Sequence, residues 1–319
     1  MKKNLRLLLL VLLIGLMIFS VVGCGKSTTP TPPPVAEEPV AEEPEALDPQ
    51  QVLLDAAKAY FPKVADSNNI IPSEDVKDML ESNPDSVLII DIRSAEDFEA
   101  GHIPGAVHSP WANVGEIMDR IPRNKPVVVA CYSGQTAGQT IGALRAAGFD
   151  NVKSLFYGIK LGWTGKSGFE LEGTGMVAAA DLPVVSAPTS EEEEILWQAA
   201  KDYFPKVATS AEGNKIIPGA DLYAALQDNP SSFHVIDIRS AEHFAEGHIE
   251  HSVHSPWSKF GDLLEGLPTN RPIVVACYSG QTAGQTVGIL RMMGYDAYSL
   301  FYGVRDGYVA KDNLPLVTN

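Results

Sequence analysis

Cys131 sits in the run Val-Val-Ala-Cys-Tyr-Ser-Gly-Gln-Thr-Ala-Gly-Gln-Thr, residues 128–140, and the same 13 residues return unchanged at 274–286 around Cys277. A cysteine in a loop that bends into a helix is placed for nucleophilic chemistry. Unpaired backbone amides and the helix dipole favour an anion at a helix N-terminus, and a thiolate is an anion. The reactive form is therefore expected near neutral pH. Gly134 and Gly280 supply backbone freedom for a tight cradle, while Ser133, Thr136, Ser279 and Thr282 add hydroxyl donors. Such a loop suits a thiolate and equally its persulfide. Gln135, Gln281, Tyr132 and Tyr278 are the side chains placed to touch a bound small anion. A buried strand-end cysteine of purely structural use is the bland alternative. It does not explain why a whole glycine-containing loop is duplicated.

The elements around the loop read as strand, loop, helix. Val87 to Ile90 and Val127 to Ala130 are continuous apolar runs of strand length, and Ala137, Thr140, Ile141 and Leu144 form a helical stripe after the second. Gly148 lies where that helix should stop, and Val152 to Phe156 reads as the next strand. Strands alternating with helices imply a mainly parallel sheet covered on both faces, with ligands at the carboxyl ends of the strands. Cys131 is placed at such an end.

Register between the copies extends beyond the loop: Asp91, His102, Trp111 and Cys131 map onto Asp237, His248, Trp257 and Cys277 with one offset of 146 residues (Asp91 to Asp237). Each copy opens with an amphipathic stripe, Val52, Leu53, Ala56, Ala57, Tyr60 and Phe61 against Ile195, Leu196, Ala199, Ala200, Tyr203 and Phe204. The chain is a tandem duplication long enough for each copy to bury its own core, and α/β domains are expected over 52–172 and 195–319. Between them, 173–194 reads as a linker.

Before the first copy, Lys2, Lys3 and Arg6 precede an apolar run from Leu7 to Val22 that ends in Val21-Val22-Gly23-Cys24. This reads as a secretory signal over 1–24 whose small-residue-then-cysteine ending resembles the lipobox of bacterial lipoproteins, with Cys24 acylated. An uncleaved membrane-spanning helix is the alternative. Both put the rest of the chain outside the cytoplasm, by the side on which the basic residues lie. Residues 25–51, rich in Pro, Ala and Glu without an apolar period, are expected to form an extended disordered tether.

Forty acidic against 24 basic residues give a net charge of −16, which opposes nucleic acid and anionic headgroups as partners. Membrane attachment is therefore assigned to lipid. With Cys24 acylated, one cysteine remains per copy, and no Cys/His spacing points to a metal. A Cys131–Cys277 disulfide would consume both presumed nucleophiles.

Asp91-Ile92-Arg93, Phe98-Glu99-Ala100-Gly101-His102-Ile103-Pro104-Gly105-Ala106 and Cys131-Tyr132-Ser133-Gly134-Gln135-Thr136 together resemble the successive motifs of the rhodanese family, over nearly all of each copy's core. The resemblance implies a sulfurtransferase without a metal or organic cofactor. Its loop cysteines, Cys131 and Cys277, would take a sulfane sulfur from a small anion such as thiosulfate and pass it to cyanide or a thiol. In this reading Asp91, Arg93, His102 and their counterparts Asp237, Arg239 and His248 are architectural. Glu250, His251 and Ser252 replace Pro104, Gly105 and Ala106 in copy two, so substrate approach there is open to change. Trp111 and Trp257 either line the mouth or pack.

Two other functions use a comparable cysteine loop. Cysteine phosphatases related to this fold need an arginine six positions after the cysteine. Here Ala137 and Ala283 stand there, so a transferring phosphoryl group has no guanidinium partner. A persulfide carrier serving a membrane protein would have the same sequence as an enzyme, and turnover separates them.

Overall fold

Each copy opens with a helix and then alternates strands and helices. In copy one these are α1 (Pro49–Lys63), β1 (Ile70–Ile71), α2 (Ser73–Ser82), β2 (Leu88–Asp91), α3 (Ala95–Ala100), β3 (Val107–His108), β4 (Val127–Ala130), α4 (Gln135–Ala146) and β5 (Val152–Leu155). Copy two follows with α5 (Glu191–Tyr203), α6 (Lys206–Thr209), β6 (Ile216–Ile217), α7 (Gly219–Asp228), β7 (His234–Asp237), α8 (Ala241–Glu246), β8 (Val253–His254), β9 (Ile273–Ala276), α9 (Gln281–Met292) and β10 (Ala297–Leu300). The computed structural model describes residues 46–319 apart from 174, 210–212 and 319. The signal segment, Cys24 and the tether up to residue 45 lie outside the described residues. Among the described residues no helix is long and apolar enough to cross a membrane.

Two parallel sheets result, in the orders β1-β5-β4-β2-β3 and β6-β10-β9-β7-β8. The central strand β4 pairs Val127–Ala130 with Leu88–Asp91 on one side and Val127–Val129 with Val152–Ser154 on the other. Its four residues are all buried. A parallel strand covered on both faces has no reason to alternate with polar residues, and its Val-Val-Val-Ala sequence does not. Val127 and Val129 enter one core while Val128 and Ala130 enter another, as the two-residue strand period demands.

The first of those cores is shared. It takes Leu88, Ile90, Val127 and Val129 from copy one and Ile236, Ile273 and Val275 from copy two, with α1, α4, α5 and α9 between the sheets. The opposite sheet faces keep separate cores. The expectation that each copy buries its own core thus holds for one face of each sheet only. The reason is a stripe of glycines four apart on each central helix, Gly134, Gly138 and Gly142 facing Gly280, Gly284 and Gly288. A Cβ on Gly138 would lie 2.5 Å from the Gln281 carbonyl oxygen, and one on Gly284 would lie 2.6 Å from that of Gln135. Helix backbones approach this closely only where side chains are missing.

The opening helices are exchanged. α1 lies on copy two's 3₁₀ segment Trp257–Gly266, with Phe61 5.0 Å from Phe260 between ring centroids and Lys58 2.5 Å from Glu265. α5 lies on the matching segment of copy one, Trp111–Arg120, where Gly115 leaves room for the Lys201 backbone. Trp197 and Phe149 meet at 5.2 Å.

Both opening helices also begin earlier than composition suggests. Asp48 caps α1, accepting the Gln50 N–H at 3.0 Å, so Pro49 to Gln51 belong to the helix and not to the tether. Ser190 caps α5, accepting the Glu193 N–H at 3.2 Å, which turns Glu191–Glu194 into a first helical turn. Carboxylates there are stabilised by the helix dipole. The preceding segment is docked on copy one and is no free spacer. His108 N–H donates to the Val177 carbonyl at 2.8 Å, the Ser186 hydroxyl donates to that of Ile121 at 2.6 Å, and Ala179 is fully buried.

Candidate active site

β4 and β9 end one residue before Cys131 and Cys277, and α4 and α9 begin at Gln135 and Gln281. Four residues, the cysteine among them, must turn the chain between strand and helix. The turn closes on Gly134 and Gly280, both left-handed at φ 87°, where a side chain would be strained. Each sulfur is thereby held over the helix start. Cys131 Sγ accepts from the Gly134 N–H at 3.1 Å and the Ala137 N–H at 3.3 Å. Cys277 Sγ accepts from Gly280 at 3.1 Å and Ala283 at 3.4 Å. Both are free thiols, only 1% and 2% exposed.

A second element sets the loop's polarity. Just after β5 a π-helical segment, Gly158–Lys166, starts against the loop, and the Ile159 and Lys160 N–H groups donate to the carbonyls of Cys131 and Tyr132 at 2.7 and 3.0 Å. Val304 and Arg305 do the same for Cys277 and Tyr278 at 2.7 and 3.1 Å. With its carbonyls tied outward, the loop turns its N–H groups inward, an anion-binding concavity. Gly158 makes this approach possible. A Cβ there would lie 2.7 Å from the backbone nitrogens of Ser133 and Gly134, and at Gly303 2.6 Å from that of Ser279.

A rhodanese-like domain model matches residues 73–164 and 219–310. The chain is a tandem member of the rhodanese family. Over 91 residues it is 30% identical to the thiosulfate sulfurtransferase GlpE of Pseudomonas savastanoi, 28% of this chain and 83% of that protein. It is 31% identical over 97 residues to the putative sulfur carrier protein YrkF of Bacillus subtilis, 30% of this chain and 51% of the relative. The tandem rhodanese thus spans about half of that carrier protein's length. Among solved structures, a thiosulfate sulfurtransferase from Pseudomonas aeruginosa aligns over 77% of this chain and 46% of its own, at 22% identity and TM-score 0.35. The SseA structure from Escherichia coli aligns over 73% and 97%, at 18% identity and TM-score 0.33.

The side chains that the sequence assigned to the tandem rhodanese's substrate fall in different places. Gly134 and Gly280 are in the cradle, and Ser133, Thr136, Ser279 and Thr282 border it. Tyr132 points to the rim, its hydroxyl donating to Asp97 Oδ2 at 2.5 Å and accepting the Ser94 N–H at 3.3 Å. The hydrogen bond from Tyr132, with a second from Ser94, holds the Asp97 carboxyl below the usual range. In copy two His243 stands in place of Asp97, its Nδ1 2.8 Å from the Tyr278 hydroxyl.

Gln135 and Gln281 require correction as substrate contacts. Both are fully buried and reach into the other copy. Gln135 Nε2 donates to the Leu300 carbonyl at 3.1 Å, and its Oε1 accepts the Tyr302 N–H at 3.0 Å. Gln281 does the same with Leu155 at 3.1 Å and Tyr157 at 2.9 Å. Helix α4 faces α9, so a residue at its first turn has the other copy as its neighbour.

Asp91 and Arg93 form a buried pair, Nη2 to Oδ2 2.7 Å, and the same guanidinium nitrogen donates to the Gly101 carbonyl at 2.6 Å. Asp237 and Arg239 repeat it at 2.7 Å. His102 stacks on Phe98 at 3.9 Å with Nδ1 2.8 Å from the Phe98 carbonyl, and His248 lies likewise on Phe244. These residues anchor the β2–β3 side of the site. Gly105 has φ 75° and His251, its replacement, φ 66°, so copy two keeps the turn with a non-glycine residue. Trp257 packs against Tyr60 and donates to the Thr286 hydroxyl at 2.9 Å, while Trp111 packs partly buried on the shared core. Among the described residues no cluster of His, Cys, Asp or Glu could hold a metal.

Sequence reasoning missed Gly158, Gly303, Tyr157 and Tyr302. Their signal was present: Ser-Leu-Phe-Tyr-Gly occurs at 154–158 and again at 299–303.

Proposed function

We propose that this tandem rhodanese is an extracytoplasmic, lipid-anchored thiosulfate sulfurtransferase with a nucleophile in each copy, Cys131 and Cys277. The observation that carries the reading is the pair of inward N–H donors on each sulfur, 3.1 and 3.3 Å at Cys131, 3.1 and 3.4 Å at Cys277. Two amides suit a sulfur anion before and after it gains a second sulfur, with no general base required.

The thiolate attacks the outer sulfur of thiosulfate. A new S–S bond forms, the old one breaks, and its electron pair leaves with sulfite. Cyanide, or a thiolate, then attacks the outer sulfur of the persulfide and carries it away, and the cysteine thiolate returns. Both steps conserve charge and need no outside oxidant. The amides of Gly134 and Ala137, and of Gly280 and Ala283, stabilise the persulfide anion between them. The Ala137 and Ala283 amides already lie on the sulfurs, at the position where a phosphatase would need its arginine. For the anchor, the support is Lys2, Lys3, Arg6, the apolar run and the small-residue ending at Cys24. Acylation there would leave the sulfur chemistry to the other two cysteines.

A persulfide carrier is the second reading, favoured by the near-complete burial of both sulfurs. The test is thiocyanate production from thiosulfate and cyanide by the full chain in detergent, with Cys131→Ser, Cys277→Ser and the double variant. An enzyme turns over many times and the double variant is dead. A single loading of one or two sulfur atoms per chain, seen by mass and without turnover, favours the carrier. Activity surviving in the double variant refutes both.

A further inference from the structure

The motif Phe-Tyr-Gly after β5 and β10 carries a backbone cost the cysteine loops do not explain. Tyr157 and Tyr302 are left-handed, at φ 55° and 54°, each followed by a left-handed glycine. A bulky residue in that region is a strained outlier, held only where its surroundings over-determine it. Here the Gln281 and Gln135 amides hold it, each from the first residue of the other copy's active-site helix. The strain fixes each tyrosine across the boundary between copies.

Where the phenols go differs. Tyr157, from copy one, reaches Asp306 of copy two by a short hydrogen bond from its hydroxyl to Oδ2, with Arg305 Nη2 at 3.5 Å. Arg305 also lies over the ring of Tyr278, the rim residue of the Cys277 loop, at 6.0 Å. Tyr157 therefore stands at the mouth of copy two's site. Tyr302 occupies the matching position in copy one, where Lys160 and Leu161 replace Arg305 and Asp306. No carboxylate meets it there, and among the described residues its hydroxyl makes no hydrogen bond. Tyr302 is held beside the Cys131 loop by geometry, its N–H donating at 3.0 Å to Gln135, the first residue after that loop, and burial raises its phenol, with Lys311 opposing, so it is a protonated donor.

We propose that Tyr302 is a substrate-positioning residue of the Cys131 site, donating to an oxygen of an anionic sulfur donor, and that Asp306 withholds Tyr157 from the equivalent task at Cys277. This rests on the sulfurtransferase reading. Two cysteines in identical loops are thereby made unequal, copy one favoured for the anionic donor.

The test measures each site alone in the full chain. With Cys277→Ser, Tyr302→Phe raises the KM for thiosulfate roughly tenfold, the loss of one hydrogen bond to a charged group, and leaves the cyanide step unchanged. With Cys131→Ser, Asp306→Leu, which installs copy one's residue, lowers the KM at Cys277, and adding Tyr157→Phe abolishes the gain. An unchanged KM for Tyr302→Phe, or a gain that survives Tyr157→Phe, overturns the proposal. Alkylation keeps the test independent of turnover. Tyr302→Phe should lower the rate of Cys131 with iodoacetate relative to neutral iodoacetamide. If thiosulfate is not turned over yet this ratio falls, the function fails and the tyrosine's role stands. If the ratio is unmoved, the tyrosine's role fails.

Discussion

At the scale of single residues, the cradle depends on what is missing at Gly158 as much as on what is present at Cys131. The segment that ties off the loop carbonyls touches the loop backbone, and any side chain at Gly158 would enter between the Ser133 and Gly134 nitrogens. Its φ of 62° adds a second penalty for a Cβ. Gly158→Ala is expected to push the loop from its anion-binding shape. A displacement of about 1 Å at a reacting group lowers a rate by roughly 100-fold. With Cys277→Ser as background, thiosulfate:cyanide activity should fall by that order while the fold persists; wild-type kcat/KM would rule the constraint out. The cysteine, the left-handed Gly134 and the anion-favouring helix start were legible in sequence, because local chemistry dictates them. Gln135 was misread for the opposite reason. Its neighbours lie about 165 positions away, as Leu300 and Tyr302, and no local pattern names them.

At the scale of elements, strands β2 and β4 were legible as apolar runs, β5 as the strand after the Gly148 helix stop, and α4 as a helical stripe, because burial on two faces or one writes its period into the chain. The α4–α9 contact was also written, as glycines at 134, 138 and 142, but a glycine's freedom in a loop and its thinness in a helix look alike in sequence. Substitution separates them. A Gly→Ala change inside a helix ordinarily stabilises it by about 1 kcal/mol. At Gly142 the new Cβ would overlap the Gln285 carbonyl, backbone that cannot swing aside. Overpacking of this kind costs about 1–3 kcal/mol, so Gly142→Ala is expected to lower stability by about 2 kcal/mol in a urea titration. Gly266→Ala, with nothing within 4 Å of the added Cβ, should change it by no more than about 0.5 kcal/mol. Equal midpoints for the two variants would mean the helices do not approach this closely.

For the molecule as a whole, the exchanged helices and the shared core bind the copies' fates together. An amphipathic stripe states that a helix is covered and not by what, so α1 read as part of copy one although Phe61 and Tyr60 lie on copy two's Phe260 and Trp257. A duplicated pair of independent domains would unfold in two steps. One core drawing on β2, β4, β7 and β9 together with α1, α4, α5 and α9 cannot lose one copy without exposing the other's apolar face. Calorimetry is therefore expected to give a single transition whose calorimetric and van't Hoff enthalpies agree. Phe61→Ala removes a fully buried ring from copy one's helix, a loss of about 3–5 kcal/mol. For a chain of this size that lowers Tm by roughly 10 °C. The whole transition should shift, with hydrogen exchange accelerated at 257–266 in copy two, where Phe61 packs. Two separate transitions, or a shift confined to copy one, would show that the copies are coupled in sequence only.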